Sequence, residues 1–394
     1  PLLAESVTQF QAQAYKELLP AGGPVRTQVI GKETDETTAQ SERVKEFMNY
    51  QITHVMEEFD PELDQMLFYL PLSGSSFKKI YYDQNLQRAV SKFIPSEELV
   101  VPYLATDLES CERITHVIKM MNNDLRKHQV SGFYSDVELE PYQLDEKDLT
   151  EAQRKLEGTQ KTTGSMEQHQ ILEFHVLLDL PGFEDKDEKN KETGIKLPYI
   201  VTIHEESGQI IGIRRNWRED DDLKEKIPYF VHFKFLPGLG FYGFGLIHML
   251  GGLSKTATSA LRQLLDAGTL SNLPAGFKAK GLRVKDEDAP LQPGEFRDID
   301  AGGQALRDSF QILPYKEPSA ILLNLLNLCV DAGRRFAAVA DLQVGEGNQN
   351  APVGTTIAML ERGTKIMSAI HKRLHCAQKA EFNLLAKIFK DYLP

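Results

Sequence analysis

The segment from Ser319 to Leu342 constrains this chain most. Read as a helix, its polar residues Asn324, Asn327, Asp331, Arg334 and Asp341 fall on one narrow stripe. Nearly everything else is Leu, Ile, Val, Phe or Ala, and a helix apolar on most of its circumference has to be covered on most sides. Pro318 supplies a start signal, and at ~1.5 Å per residue the rod is roughly 35 Å long. The cover comes either from the same molecule's fold or from further copies of the chain. A second rod, Leu246 to Leu270, places Leu246, Leu250, Leu253, Ala257, Leu261, Leu264 and Leu265 on one face, with His248, Lys255, Ser259, Arg262, Asp266 and Thr269 opposite. Its small residues Gly251, Gly252, Ala257, Ser259 and Ala260 allow close helix approach. Between the rods, residues 271 to 318 are rich in Pro and Gly and hold only short strand-like pieces, which defines a small separate module. A polar, helix-breaking loop follows at Gly345 to Pro352, and Thr355 to Tyr392 reads as one helix of more than about 50 Å unless kinked near Gly363.

The part before Pro237 mixes short helices and strands, so the fold class is α+β rather than a regular β-α-β alternation. A helix is expected over 41–59, broken by Asp60-Pro61, with another from Glu62 to Leu70. Phe77 to Tyr82 and Ala89 to Ile94 alternate across Asp83-Gln84-Asn85, a hairpin signal, and Leu99 to Tyr103 reads as a third strand. Ile114 to Gln129 reads as helix. Residues 141 to 170 are polar and suit a long loop or a loosely attached helix. Four strands, Ile171 to Leu178, Tyr199 to Ile203, Gln209 to Trp217 and Tyr229 to Phe235, are expected as one antiparallel meander. Residues 1 to 40 carry no clear pattern.

With 394 residues, roughly two to three domains are expected. The chain begins at Pro1 without a basic-then-apolar leader, and a start upstream of Pro1 is expected. No run reaches the ~20 apolar residues of a membrane span. Cys111, Cys329 and Cys376 have no paired spacing, which argues for a reducing compartment. Of 45 Lys+Arg and 57 Asp+Glu, residues 1 to 240 hold 27 and 42, and the remainder therefore 18 and 15. So acidic a chain is a poor general grip on nucleic acid, because phosphate affinity comes from Lys and Arg; ordinary solubility explains the charge equally well.

Gly238-Leu239-Gly240-Phe241-Tyr242-Gly243 fits G-x-G-x-x-G, and Asp266 lies about 20 residues on, which opens a dinucleotide-enzyme alternative at 238–243. Against it, Phe241 and Tyr242 fill the approach a pyrophosphate needs, and no prompt parallel strand closes a βαβ unit. A structural elbow is the better reading. His371 and His375 share a helix face beside Cys376, but no third ligand is evident and no Glu stands at 372, so two polar histidines on a solvated or interface face are expected rather than a metal site. His204, beside Glu205 and Glu206, is expected to be exposed at a hairpin turn. No P-loop, no G-x-S-x-G and no Cys–His pair commits the chain to catalysis, and no cofactor or catalytic residue is assigned.

The order of parts resembles the portal proteins of tailed bacteriophages, in particular the large portals of short-tailed phages. The likeness runs through Met66-Leu67-Phe68-Tyr69-Leu70-Pro71-Leu72-Ser73-Gly74 and on to Asp83, Pro95 to Tyr103, Ser271 to Phe277, and Ala351-Pro352-Val353-Gly354-Thr355-Thr356, and covers roughly residues 45 to 394. The resemblance implies a wing over 1–244, a stem helix over 245–270, a clip over 271–318, a second stem helix over 319–342, a tunnel loop over 343–354 and a wing helix over 355–394 that leads to a crown. It further implies a ring of about twelve copies at one capsid vertex of the virion, assembled in the host cytoplasm without a membrane, which passes double-stranded DNA inward for packaging and outward for ejection. Its partners would be terminase, tail adaptor proteins, and the capsid and scaffolding proteins. On this resemblance Gly345, Glu346, Gly347, Asn348, Gln349 and Asn350 project into the channel, where the three amides offer exchangeable hydrogen bonds to phosphate and Glu346 repels it. Lys278, Lys280, Arg283 and Lys285 form a basic strip in the clip that faces DNA, an acidic partner or plain solvent.

Overall fold

The computed structural model describes residues 2–140, 168–186, 191–272, 276–278, 283–284, 299–300, 310–312, 317–337 and 353–393. These residues are a mixture of helices and antiparallel sheets, an α+β fold. The chain divides into two compact units: a body of residues 7–247 and 344–394, and a second unit of residues 1–6 and 248–343.

The body is built on two sheets. In the first, β1 (Ser75–Asp83) lies between β2 (Arg88–Pro95) and β8 (Phe230–Lys234), all antiparallel. The hairpin β1–β2 closes where the Asp83 carboxylate accepts the amides of Asn85 and Leu86 and Gln87 takes a positive φ of 54°. The second sheet runs in the order β3 (Leu99–Val100), β4 (Arg113–Met121), β5 (Gln168–Leu178), β6 (Leu197–His204), β7 (Ile210–Arg215). Phe77, Ile94, Leu99, Cys111, Ile114, Phe230 and Phe241 join the two sheets in one apolar cluster. Helix α3 (Phe59–Ser73) covers β2 with Phe59, Leu63, Met66, Leu67 and Leu70, a helical stripe that is completely buried. It stops at Gly74, which takes the left-handed conformation (φ 86°) and donates its N–H to Leu70 O. A Cβ there would also stand 2.3 Å from the Gly245 nitrogen, so Gly74 is required twice over.

Helix α7 (Val353–Tyr392) is continuous for 40 residues, about 60 Å of rise. Its later turns pack on the first sheet, and Ile370, Leu374, Leu385 and Phe389 are buried along them. At the centre of that contact Glu381 meets Lys78 of β1 at 2.9 Å and Ser91 of β2 at 2.6 Å, with no side-chain exposure on either member of the ion pair.

The body also holds α2 (Asp35–Tyr50), α4 (Asn122–Val130) and the greater part of α1 (Leu2–Leu18). The second unit contains the greater part of α5 (Leu246–Asn272), α6 (Ala320–Ala337) and four short strands that pair antiparallel: β9 (Gly276–Lys278) with β12 (Phe310–Ile312), and β10 (Arg283–Val284) with β11 (Ile299–Asp300).

Four expectations need correction. Residues 114–129 are not one helix: β4 occupies Arg113–Met121 and α4 only Asn122–Val130. The apolar positions of this stretch fit both periods, and nine-residue pairing with β5 decides for strand. The strand expected at 229–235 does not extend the meander but crosses to pair with β1, a partner more than 150 residues away in sequence that no local pattern reveals. The helix expected over 41–59 starts earlier, at Asp35, because Thr34 and Thr37 form a reciprocal capping box. It ends in a π-turn, Gln51–Val55. Asp60-Pro61 opens α3 rather than ending a helix, since proline is tolerated in a first turn whose N–H groups have no partner. The patternless N-terminus folds as α1, with Val7, Phe10, Ala14 and Leu18 buried.

Candidate functional site

The two rods of the second unit leave large apolar side chains uncovered. On α6 the covered stripe is Leu322, Leu326, Cys329 and Gly333. Ile321, Leu323, Leu325 and Leu328 lie outside that stripe and remain open, Ile321 80% and Leu328 66% exposed. On α5 the same holds for Leu261, Leu265 and Leu270. The polar residues Asn324, Asn327 and Asp331 are exposed as well, so α6 shows solvent a mixed surface in which the apolar part dominates. Isolated exposed leucines are ordinary, but this density of them along each rod marks an interaction surface.

The Gly238 to Gly243 segment is closed by a bridge between Leu236 and Phe244, and α5 begins beyond it. Its glycines are explained by close backbone packing. A Cβ at Gly238 would fall 1.9 Å from Tyr242 O, and one at Gly243 would fall 2.5 Å from both Gly74 O and Leu236 O. Phe241 stacks on Phe77 and His232, Tyr242 donates to Leu99 O, and Ser75 Oγ accepts the Gly243 N–H. Every strand pair among the described residues is antiparallel, and Asp266 lies within α5.

Of the clip residues, Lys278 ends β9 opposite Phe310, and Arg283 opens β10 opposite Asp300. Lys280 and Lys285 lie outside the described residues, and so do Gly345, Glu346, Gly347, Asn348, Gln349 and Asn350. His371 and His375 do act together: both contact the Glu17 carboxylate of α1, His375 at 3.3 Å, while Gln378 donates to Leu18 O. The i,i+4 pair thus ties α1 to α7, and among the described residues no group of three His, Cys, Asp or Glu is arranged for a metal ion. His204 is not exposed but completely buried, with its Nε2 3.1 Å from His169 Nδ1 and its Nδ1 2.9 Å from Ser207 Oγ.

Sequence reading missed a polar layer between the two sheets. Glu173 and His175, two apart on β5, point to the same side. Glu173 Oε1 accepts from Lys79 Nζ at 2.6 Å and lies 2.7 Å from His175 Nε2. Burial alone would raise the Glu173 carboxyl, but Lys79 and His175 together outweigh it and hold the group well below the usual carboxylate range. The nearby His116 is pushed down to about 3, by burial first and then by Lys79. His232 is also pushed down to about 3, by burial and then Lys234. The only advance signal was the Glu-x-His spacing on a strand.

These two rings set a pH dependence. Each is neutral in the fold and takes a proton near 6.5 when unfolded. The folded value is the lower one, so their contribution is fully present above about 6.5 and is lost as the pH falls toward 3. The expected loss by pH 5 is about 1–2 kcal/mol per ring. Urea midpoints at pH 7 and pH 5 measure it, and equal midpoints contradict the assignment.

No family model matches this chain, and no curated protein matches it either.

Proposed function

We propose that this chain is a subunit of a portal vertex, a ring of about twelve copies that conducts double-stranded DNA into and out of a tailed-phage capsid. One observation carries the proposal: the apolar faces of α5 and α6 stay open in the single chain. Burying apolar surface stabilises association by roughly 25 cal/mol per Å², and head-to-tail contacts that close on themselves make a ring. The order of elements supports the same reading. A mixed body, a long helix, a small module of paired short strands, a second long helix and a 40-residue helix follow one another in the portal sequence of wing, stem, clip, stem and wing helix. The net charge of −12 suits a bore through which DNA slides, since each cationic grip on phosphate adds friction. In this reading the chain works in the virion with terminase, tail adaptors, and the capsid and scaffolding proteins. Residues 345 to 350 approach the DNA, and the basic strip of Lys278, Lys280, Arg283 and Lys285 belongs to the clip.

Negative-stain images and light scattering of the purified chain test the proposal. The expected particles are rings of about a dozen subunits with an axial opening. A strictly monomeric species at high concentration overturns it.

A further inference from the structure

The body's two sheets do not close on one another along their whole length. They border a cleft of about 1800 Å³ whose walls include Ile114 and Phe230 from one apolar cluster and Tyr134 from another. Three features distinguish this cleft from a packing defect.

The first is charge. Lys79 and Lys92 stand directly opposite each other on β1 and β2, an arrangement like charges avoid. Glu173 neutralises only Lys79. Arg214 of β7 lies 3.8 Å from the centre of the Phe133 ring, has no ion-pair partner among the described residues, and is near enough to act electrostatically on His175. Of the rim carboxylates, Asp124 pairs with Lys127 and Asp391 with Arg218, whereas Asp107 and Asp221 accept amides of their own turns.

The second is unused hydrogen-bonding capacity. Among the described residues His116 Nδ1, Asn216 Oδ1 and Arg214 Nε are buried without a partner, on side chains that line the cleft. His116 is only 7% exposed and Asn216 3%. Water satisfies neutral groups of this kind, but it supplies no charge opposite Lys92 and Arg214. The third is an aromatic wall, made by Tyr81, Tyr134, Tyr229 and Phe230.

We propose that this cleft binds a small organic anion, a phosphate or carboxylate group on an aromatic or apolar body. Arg214 and Lys92 supply the charge, His116 and Asn216 the hydrogen bonds, and the tyrosines and Phe230 the contact for the body of the ligand. The Asn216 amide serves either as donor or as acceptor, because turning it by half a revolution exchanges the two. This inference is independent of the portal reading, since it concerns only residues of the body.

Calorimetric titration of the full chain with phenyl phosphate, benzoate and benzyl alcohol tests it. Saturable binding of at least one of the two anions is expected, and the tighter of them identifies the head group. The uncharged alcohol is expected not to bind. Arg214→Gln and Lys92→Gln should each weaken the anion about ten-fold or more. Lys119→Gln, at a rim lysine already paired with Glu98, should leave it unchanged. Lys92 is exposed, so Lys92→Gln keeps the test decisive if Arg214→Gln does not fold. Absence of binding by both anions, equal binding of the alcohol, or wild-type affinity in Lys92→Gln overturns the proposal.

Discussion

Glu381→Leu will lower the unfolding free energy by about 3–5 kcal/mol, whereas the double variant Lys78→Met/Glu381→Leu will recover most of that loss. The reasoning starts from burial. Both side chains are completely shielded from solvent, and they meet at 2.9 Å where α7 crosses β1. Removing the carboxylate strands the Lys78 ammonium between the sheet and the helix. The Phe59 ring, 4.3 Å from its nitrogen, remains beside it, and among the described residues no other carboxylate pairs with it. An uncompensated buried charge is far costlier than a missing pair, because desolvation is no longer offset by the Coulombic attraction. Methionine and leucine at the two positions remove both charges and fill similar volume, so the double variant loses the attraction and the desolvation cost together. Ser91 loses its acceptor in both variants, which leaves a residual deficit of about 1 kcal/mol. Urea unfolding of the wild type and both variants at one protein concentration measures the cycle. If the double variant is as damaged as Glu381→Leu alone, the contact serves shape rather than charge. The pair also explains how a helix at the far end of the described chain is fixed on the first hairpin: Lys78 and Glu381 are 303 residues apart.

What was legible in the sequence follows the range of the interactions. The β1–β2 hairpin was readable because Asp83 and the alternating flanks act within a dozen residues. The long helices were readable because a 3.6-residue period over five or more turns has no other interpretation. The strand Arg113–Met121 was not, since its hydrophobic spacing suited either state until β5 supplied a partner. Sheet membership of β8 was hidden for the same reason. The buried polar layer was hidden more deeply. Lys79, His116, Glu173, His175 and Arg214 come from four strands, and each read alone is an ordinary surface residue. His204 shows the hazard of local reading: Glu205 and Glu206 made the turn look solvated, yet the ring itself points inward to His169. The G-x-G-x-x-G match is the converse case. Gly238 and Gly243 are needed where backbone passes close to backbone, a demand that pattern alone does not distinguish from a demand for phosphate access.

Ile321→Glu/Leu328→Glu will convert the proposed ring into folded monomers. The two positions are seven residues apart and so lie on one face of α6, and both are open in the single chain. Glutamate at an exposed helical site costs the monomer little, because solvation is kept and helix propensity is no worse than that of isoleucine. A face pressed against a neighbouring copy responds differently. Each carboxylate would be desolvated without a cation to meet it, at several kcal/mol per charge, and the cost recurs at every interface of the ring. Asn327→Asp supplies the control. It adds negative charge to the same helix on the exposed polar stripe, about 100° round from Leu328 and about 120° from Ile321. Light scattering should therefore report rings for the wild type and for the aspartate control, and single chains for the glutamate variant, with circular dichroism alike in all three. Rings that survive glutamate at both positions mean that this face of α6 is not where copies meet. Loss of helicity in the glutamate variant means instead that Ile321 and Leu328 act within the monomer's own fold.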